Sequence, residues 1–593
     1  MPRESRAIPK MIGLENEYGC IASSEHRIPE AAGVGFVLLF QPEWLDLGRN
    51  GAWDPTERLA GTEKEITEDA LLHTYLKNKN WQSEMNFLLP NGARFYCDMT
   101  HPEICIPICR NAQEALLQDR ACEWLMNFIR KKHEEVYGHK YVLFKNNTAL
   151  GYEDEYGRKR VGVSFATHEN YLVSRMVDIK NLVEKTIPFL ATRNVLIGAG
   201  VVKGQASGDD TGYEISQRAG FFGQPIGLDT TGWSRPIYNL RDRPYADPQR
   251  FRRVHVITGD ANMCETAEFI KFATMQVLFM MIEDEFLDNR FTLKDPVEAM
   301  HQISQDLTFQ KKIAFKDKRA SRTAIDILKE YVGLMGEYLE TFDIRDELLR
   351  WGIKETERIL DLLSASPELC FGVLDHVTKK MIIEGRMESG KISSWQDPKA
   401  KKLDVNYHNI NQAEGLFYHP RIYPEMKRLL SGEEIAKAAF EPPPTRSRFQ
   451  VEVYKKFGLL MWDWRKILIA DEKGHSAPPI FLEDPAADWE KLEGLLSDDR
   501  KEFLQRVKDA GLMESSLDHE NPDEKFYGLS YKKGDGPKPR HRHVVPEPKP
   551  SIGPIREDDD VFWWPDFSYK KMLDDLKKQD LTNNDPGEYN DCD

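Results

Sequence analysis

Between residues 8 and 260, apolar positions come in short alternating runs separated by turn-forming residues. The runs at 11–18, 93–98, 141–145, 160–165 and 253–258 read as strands. A different period lies between them: Leu116, Leu117, Ala121, Trp124, Leu125 and Phe128 recur at three- and four-residue spacing and predict one amphipathic helix over 111–137. A second helix is predicted over 264–286. After residue 290 the helical period dominates, with stretches at 321–341, 345–364 and 367–384. Strands first and helices later make this an α+β chain.

A short helical pattern at 433–439 runs into Glu441-Pro-Pro-Pro-Thr445, whose prolines cannot continue a helix. The pattern predicts a catalytic unit over 1–430, a smaller C-terminal domain over 431–517 and a tail over 518–593. Seven of the chain's 33 prolines fall between 521 and 560, a segment of mixed charge and few aliphatics that reads as a disordered connector. The tail's one apolar piece is Phe562-Trp-Trp-Pro-Asp-Phe567, which has the character of a docking segment for this chain or for a partner. No internal repeat is present.

Composition narrows the classes of function. With 593 residues the chain is long enough for several units, and 40% hydrophobic content is ordinary for a folded protein. A net charge of −16 argues against a nucleic-acid partner held by a general basic surface. No apolar run approaches the roughly 20 residues of a membrane span, and the first residues lack an apolar export segment, so a cytoplasmic protein is expected. Eight cysteines without CxxC pairs read as reduced and structural. Cys97, Cys105 and Cys109 are near enough to raise a metal site, but no histidine stands at matching spacing.

The candidate chemistry lies on the strands. Residues two apart share a strand face, so Glu15 and Glu17 project together, as do Arg94, Tyr96 and Asp98, with His101 and Glu103 close behind. Either face alone is most simply a solvated edge. Together they make a carboxylate-rich surface of the kind that holds Mg²⁺ against nucleotide phosphates, since hard oxygen ligands suit that ion. Lys145-Asn-Asn147, His168-Glu-Asn-Tyr171, Arg252-Arg-Val-His255 and Gly259-Asp-Ala-Asn262 are further polar groups on later strands. Arg253 and His255 share one face and fit a phosphate or a metal; each histidine taken singly fits a structural role as well. Gly198-Ala-Gly-Val-Val-Lys-Gly204 matches neither a dinucleotide fingerprint nor a P-loop, and no GxSxG elbow supports a serine hydrolase.

In this order these residues resemble the family of the ligase and the depupylase/deamidase that attach and remove Pup, the small protein modifier of bacterial proteasomes. The resemblance rests on Ile12-Gly-Leu-Glu-Asn-Glu-Tyr-Gly19, Asn91-Gly-Ala-Arg-Phe-Tyr-Cys-Asp98, His101-Pro-Glu103, Phe144-Lys-Asn-Asn147, His168-Glu-Asn-Tyr-Leu172, Ser216-Gln-Arg218, Arg252-Arg-Val-His-Val-Ile-Thr-Gly-Asp260, Glu441-Pro-Pro-Pro-Thr445 and Trp462-Asp-Trp464. It covers residues 10 to about 485 and leaves the tail unexplained. It implies a glutamine synthetase-like fold, in which a curved antiparallel sheet holds ATP and Mg²⁺ on its concave face, plus a small C-terminal domain. It further implies that Glu15, Tyr96 and Glu103 meet Mg²⁺, that Arg94 contacts ATP, that Trp464 lies against the nucleotide and that Asp98 is the catalytic carboxylate. Glu17, His168, Arg253 and His255 are additional metal or phosphate candidates. Ile106 departs from the pattern, since the family's ligases often carry Thr there, and that contact is not carried over.

Two features favour the depupylase over the ligase. The connection between Gly19 and Asn91 is about 70 residues, as in the depupylase with its extra loop, and it includes Ala52-Trp-Asp54. Ser207-Gly-Asp-Asp-Thr-Gly-Tyr213 also looks more like the depupylase's segment. The expected activity is ATP- and Mg²⁺-dependent hydrolysis of the Pup–lysine isopeptide bond and deamidation of a C-terminal Gln of Pup, with ATP bound but not consumed at each turnover. The alternative is ATP-consuming ligation of Pup to lysine. A non-catalytic ATP-binding relative and a small-molecule carboxylate-amine ligase fit less well. The implied partners are Pup or a Pup-like protein and pupylated proteins, with a functional link to the proteasome.

Overall fold

The computed structural model describes residues 3–22, 29–45, 86–98, 100–149, 152–153, 159–160, 163–203, 212–230 and 235–514. The tail over 518–593, the stretch with Ala52-Trp-Asp54 and residues 207–211 lie outside them.

Within them, alternation along the chain builds one eight-stranded sheet from β1 (Ile12–Glu17), β2 (Asn86–Leu88), β3 (Arg94–Asp98), β4 (His101–Cys105), β5 (Thr167–Ser174), β6 (Phe222–Gly227), β7 (Arg235–Asn239) and β8 (Phe251–Val256). Their order across the sheet is β6-β7-β8-β5-β1-β4-β3-β2. The expectation of an antiparallel sheet needs one correction: β6 and β7 pair in parallel at the edge, with a register shift between Phe222 and Gln224. Pro225 of β6 has no N–H to donate, which an edge strand tolerates, and Pro236 of β7 lies where that strand is laddered to β6 and not yet to β8. The other expected strands behave differently again. Tyr141–Phe144 forms a ladder of its own with Gly19–Ala22, and only Val163–Phe165 of the run at 160–165 pairs with Asn147–Ala149.

One face of the sheet is covered by helices. Among them are α1 (Pro29–Leu38), α2 (Ala112–Tyr137), α3 (Ile179–Thr192), α4 (Glu265–Glu283), α5 (Ala324–Thr341) and α6 (Glu347–Ala365). Ile12, Leu14, Phe95, Ile104, Tyr171 and Val254 are buried on this side, where Tyr171 packs on Phe279 of α4 at 5.4 Å. Each fully buried large side chain contributes about 1.5–3 kcal/mol, so this layer fixes which face of every strand is left for ligands. Helix α2 begins at Asn111, whose side chain accepts from Glu114 N, and ends at Gly138. Helix α4 is buried nearly all round, so its polar residues must find partners inside. Glu268 meets Arg120 at 2.6 Å, Lys271 donates to Asp260 O at 2.9 Å, and Gln276 donates to Lys10 O at 3.0 Å.

The helix expected over 367–384 is interrupted. A 3₁₀ turn, Pro367–Cys370, precedes a separate helix α7 (Asp375–Glu388). Gly372 stands between them at φ +75°, and a Cβ there would lie 2.3 Å from the Glu425 carbonyl oxygen, so the chain turns where only glycine fits. The last elements include α8 (Arg446–Phe457) and a three-stranded sheet of β9 (Met461–Trp462), β10 (Lys466–Leu468) and β11 (Ile480–Phe481). They are joined to the edge of the large sheet by two contacts between Asn86 and Trp462: Asn86 Nδ2 donates to Trp462 O and Trp462 Nε1 to Asn86 O. Among the described residues no helix is long and apolar enough to cross a membrane, and the seven cysteines are buried and in no disulfide.

Two buried histidines make stability pH-dependent. His133 in α2 has Nε2 2.9 Å from Phe36 O, and His376 in α7 has Nε2 2.9 Å from Val195 O. Burial pushes their pKa values down to about 3 and about 4. Both stay neutral in the folded chain while the unfolded chain protonates them below about pH 6.5. Stability is therefore fully present above pH 6.5 and falls towards pH 4, approaching about 1.4 kcal/mol per pH unit for each histidine. Denaturant unfolding of the parent and of His133→Gln at pH 7, 5.5 and 4.5 isolates the share of one histidine: on acidification the parent should lose up to about 1.4 kcal/mol per pH unit more than the variant.

Candidate active site

The other face of the sheet is polar, and its composition follows from the register. Gly13, Glu15 and Glu17 of β1 project there, while Ile12, Leu14 and Asn16 go to the helices. Glu15 pairs with His168 of β5 on one side and with Cys105 of β4 on the other; Glu17 pairs with Glu103. Arg94 stands opposite Cys105, Tyr96 opposite Glu103 and Asp98 opposite His101. In β8, Arg253 and His255 take the same face, opposite Leu172 and Asn170 of β5.

These side chains form two groups. Ligand atoms of Glu15, His168 and His255 lie within 4.8 Å of one another, and so do those of Glu17, Asp98 and Glu103. In the first, His168 Nδ1 and His255 Nε2 are 3.4 and 3.7 Å from Glu15 Oε2, too long for good hydrogen bonds. Asn170 Nδ2 donates to Glu15 Oε1 at 3.0 Å, and Arg253 Nη1 stands 3.4 Å from the same oxygen and 2.8 Å from Asn170 Oδ1. Burial opposes ionisation of Glu15, but the facing imidazoles and Arg253 outweigh it and hold its carboxyl well below the usual range. Burial, then Arg253, push His255 down to about 3. Both of its ring nitrogens and His168 Nε2 are buried without a hydrogen-bond partner among the described residues.

The second group repels itself. Glu103 is pushed well above the usual carboxylate range by burial and then by Glu17, Glu15 and Asp98. Asp98 is raised by burial and Glu17, against the pull of His168. It ends β3 at a tight turn in which Thr100 has φ +72°, an uncommon conformation for a β-branched residue. Gly33 of α1 packs against this turn so closely that a Cβ would lie 1.9 Å from Thr100 O. His101, across the turn, stacks on Phe165 at 3.9 Å.

At the Gly13 end of β1 the face opens into a pocket of about 590 Å³, its open mouth included. Ile106, Tyr245 and Trp464 line it together with Glu15 and Arg253. Trp464 reaches it from the loop between β9 and β10, and Arg446 of α8 ties that region down by donating to Tyr245 O and Leu482 O, each at 2.6 Å. Arg94 lies over the Tyr96 ring at 4.0 Å and donates to Asn86 Oδ1 at 2.6 Å. The Tyr96 phenol sits 3.7 Å from Cys105 Sγ, hydrogen-bonds the Glu103 side chain and is pushed well up by burial.

The chain matches the model of the family described as Pup-ligase protein over residues 10–468. It belongs to that family. It is 34% identical over 462 residues to the depupylase of Acidothermus cellulolyticus, covering 76% of this chain and 88% of that one. It is 33% identical over 375 residues to the Pup deamidase/depupylase of Mycolicibacterium smegmatis, covering 63% and 72%. The Pup–protein ligase of Nocardioides sp. is 31% identical over 404 residues, covering 67% and 86%. Among solved structures, the Pup ligase PafA in complex with Pup superimposes with a TM-score of 0.65 at 24% identity, over 89% of this chain and 99% of that one. PafA in complex with ADP gives 0.60 at 26%, over 76% and 95%. The fold expected from the resemblance is therefore the fold of this family.

The polar segments singled out from sequence divide by strand parity. His168 and Asn170 reach the site, whereas Glu169 turns to the helices and pairs with Arg193 at 2.5 Å. Lys145 is buried behind the sheet against Asp119, and Asn146 donates to Ala261 O at 2.7 Å, so neither is part of the site. Asp260 accepts from Ala199 N, Gln217 N and Ser216 Oγ, which makes it the support of the Ser216-Gln-Arg218 turn. Tyr245 and Arg446 also belong to the site, although they stand in no polar strand motif and nothing in the local pattern marks them.

Proposed function

We propose that this chain is an ATP- and Mg²⁺-dependent depupylase and Pup deamidase. It would hydrolyse the isopeptide bond between Pup, or a Pup-like protein, and a substrate lysine, and convert a C-terminal Gln of Pup to Glu. The observation that carries the reading is the Glu17, Asp98 and Glu103 group beside Glu15, His168 and His255, on a chain whose similarity extends to proteins named depupylase.

The residues fit the cofactors. Ligands sharing an ion of about 2.1 Å bond length stand about 3–4.2 Å apart, close to the spread of both groups, and the orphaned His168 and His255 nitrogens lack a partner that a cation would supply. An all-carboxylate set that repels itself, as Glu17, Asp98 and Glu103 do, is stabilised by a hard divalent ion. Glu15 with the histidines, and Glu103 with Glu17, would hold Mg²⁺; Arg94 and Arg253 would meet phosphates, and Trp464 with Tyr245 and Ile106 would flank the base. Bound there, Mg²⁺ would supply positive charge that polarises oxygen at the reacting centre. In this reading the small domain at 431–517 closes the base slot through Trp464, and 518–593 is a tail outside the catalytic unit.

Asp98 is the half-buried carboxylate of its group, whereas Glu17 and Glu103 are buried. Its carboxylate takes a proton from a water molecule whose oxygen adds to the side-chain carbonyl, and the C–N bond breaks as that proton passes to the leaving amine; in the other route the carboxylate itself adds and displaces the amine, which takes its proton from water, and the hydroxide left hydrolyses the resulting mixed anhydride. Both substrates are amides of a glutamate side chain, so one carboxylate serves both.

The test is to incubate the purified protein with ATP and Mg²⁺ and either a Pup–lysine conjugate or free Pup plus a lysine-bearing protein. Release of Pup, with phosphate release not tracking it, is the expected result. The ligase alternative has the Pup-ligase fold and the ligase relatives behind it, and conjugate formation with matching ATP consumption would establish it instead.

A further inference from the structure

Past the acidic group, at the Glu17 end of β1, the ligand face closes on two arginines. Arg218 is fully buried; its Nη1 donates to Thr167 O at 2.9 Å and its Nε meets no acceptor among the described residues. Thr167 pairs with Asn16, the neighbour of Glu17. Arg235 opens β7 at 1% exposure, and neither its Nε nor its Nη1 has a hydrogen-bond partner among the described residues. Register sets its direction: Asn239 pairs with His255, and four residues earlier on the same strand Arg235 returns to the same face. Both guanidiniums lie within the field of Glu17. Burial, then the charge of Arg218, push Arg235 down to about 9.

Two buried cations with unused N–H groups form a strongly unfavourable arrangement unless an anion enters. Glu17 offers one charge, but it is already drawn into the group with Asp98 and Glu103. We propose that Arg218 and Arg235 bind the free α-carboxylate of the modifier's C-terminal residue, whose side-chain amide reacts at Asp98. This rests on the preceding reading for the identity of the substrate. An amide built on the side chain of a C-terminal Glu leaves its α-carboxylate ionised about 5 Å from the reacting carbon, a span of a few covalent bonds. Guanidinium forks match a carboxylate in two parallel hydrogen bonds. The base slot lies at the opposite, Gly13 end of β1 with Glu15 between, which sets the arginine pair on the acyl-substrate side. A phosphate is the other anion that two arginines would accept, and the test separates the two.

The experiment measures binding of a labelled peptide with the C-terminal sequence of Pup, as free acid and as α-amide, by fluorescence anisotropy, with nucleotide affinity measured in parallel. The parent should bind the free acid about 10- to 100-fold more tightly than the amide. Arg235→Gln should erase that preference and leave nucleotide affinity within about twofold, while Arg235→Lys should retain part of the preference. Retained nucleotide binding shows that a variant is folded. Equal binding of the two peptides by the parent would overturn the proposal, as would an Arg235→Gln variant that loses nucleotide affinity but keeps the preference, which would assign the pair to phosphate. A preference for the free acid in a protein that joins Pup to lysine instead of releasing it would refute the depupylase reading and leave the carboxylate site standing.

Discussion

Asp98→Asn is expected to lower amide cleavage by about 10²-fold or more while nucleotide affinity stays within about twofold. The amide nearly preserves the shape of the side chain but removes the basic oxygen. It also removes one negative charge from a group in which Glu103 and Asp98 are already raised, by burial and then by neighbouring carboxylates, so the fold has no reason to suffer. The measurement is single-turnover release of Pup from a conjugate, paired with a nucleotide titration. Undiminished cleavage would remove Asp98 from the chemistry. A loss of cleavage that only follows a loss of nucleotide binding would make Asp98 a ligand of the nucleotide site instead.

The second large effect is expected at Glu15. Its carboxylate is the common neighbour of His168, His255, Arg253 and Asn170, so Glu15→Ala leaves the two imidazoles without the anion that completes their group. Affinity for nucleotide with Mg²⁺ should fall about 10- to 100-fold, whereas affinity without Mg²⁺ should hardly change or should rise, because a negative charge near the phosphates has been removed. Calorimetric titrations with and without Mg²⁺ separate these outcomes. An equal loss under both conditions would mean that Glu15 acts on the nucleotide without an ion between them.

Period-two alternation made half of this site readable before any fold was known. Glu15 with Glu17, Arg94 with Asp98, and Arg253 with His255 each share a face because side chains two apart on a strand must. Alternation does not say which residue of one strand meets which of another. That Glu17 joins Glu103 and Asp98, while Glu15 joins the two histidines, depends on the register of β1 with β4 and β5. Lys145 illustrates the same limit: a charged residue on a predicted strand reads as a ligand until tertiary packing sets it behind the sheet against Asp119. The helices were legible because their periods are long, as in α2, α5 and α6. The break at Gly372 was not, since its cause is the carbonyl of Glu425, 53 residues later in the chain.

The two-sided character of β1 has a consequence for how this gene can change. Its odd positions serve ligands, and its even positions are anchored below, Asn16 donating to Asp119 at 2.5 Å and Leu14 filling the core. A conservative substitution disturbs one layer at one point. Loss or gain of a single codon between Ile12 and Glu17 would instead exchange the two layers for every residue beyond it, turning the carboxylates into the hydrophobic interior and the aliphatics towards the nucleotide. A change of length is therefore better absorbed in a connection between strands than inside β1, whose spacing from Ile12 to Glu17 has to stay fixed.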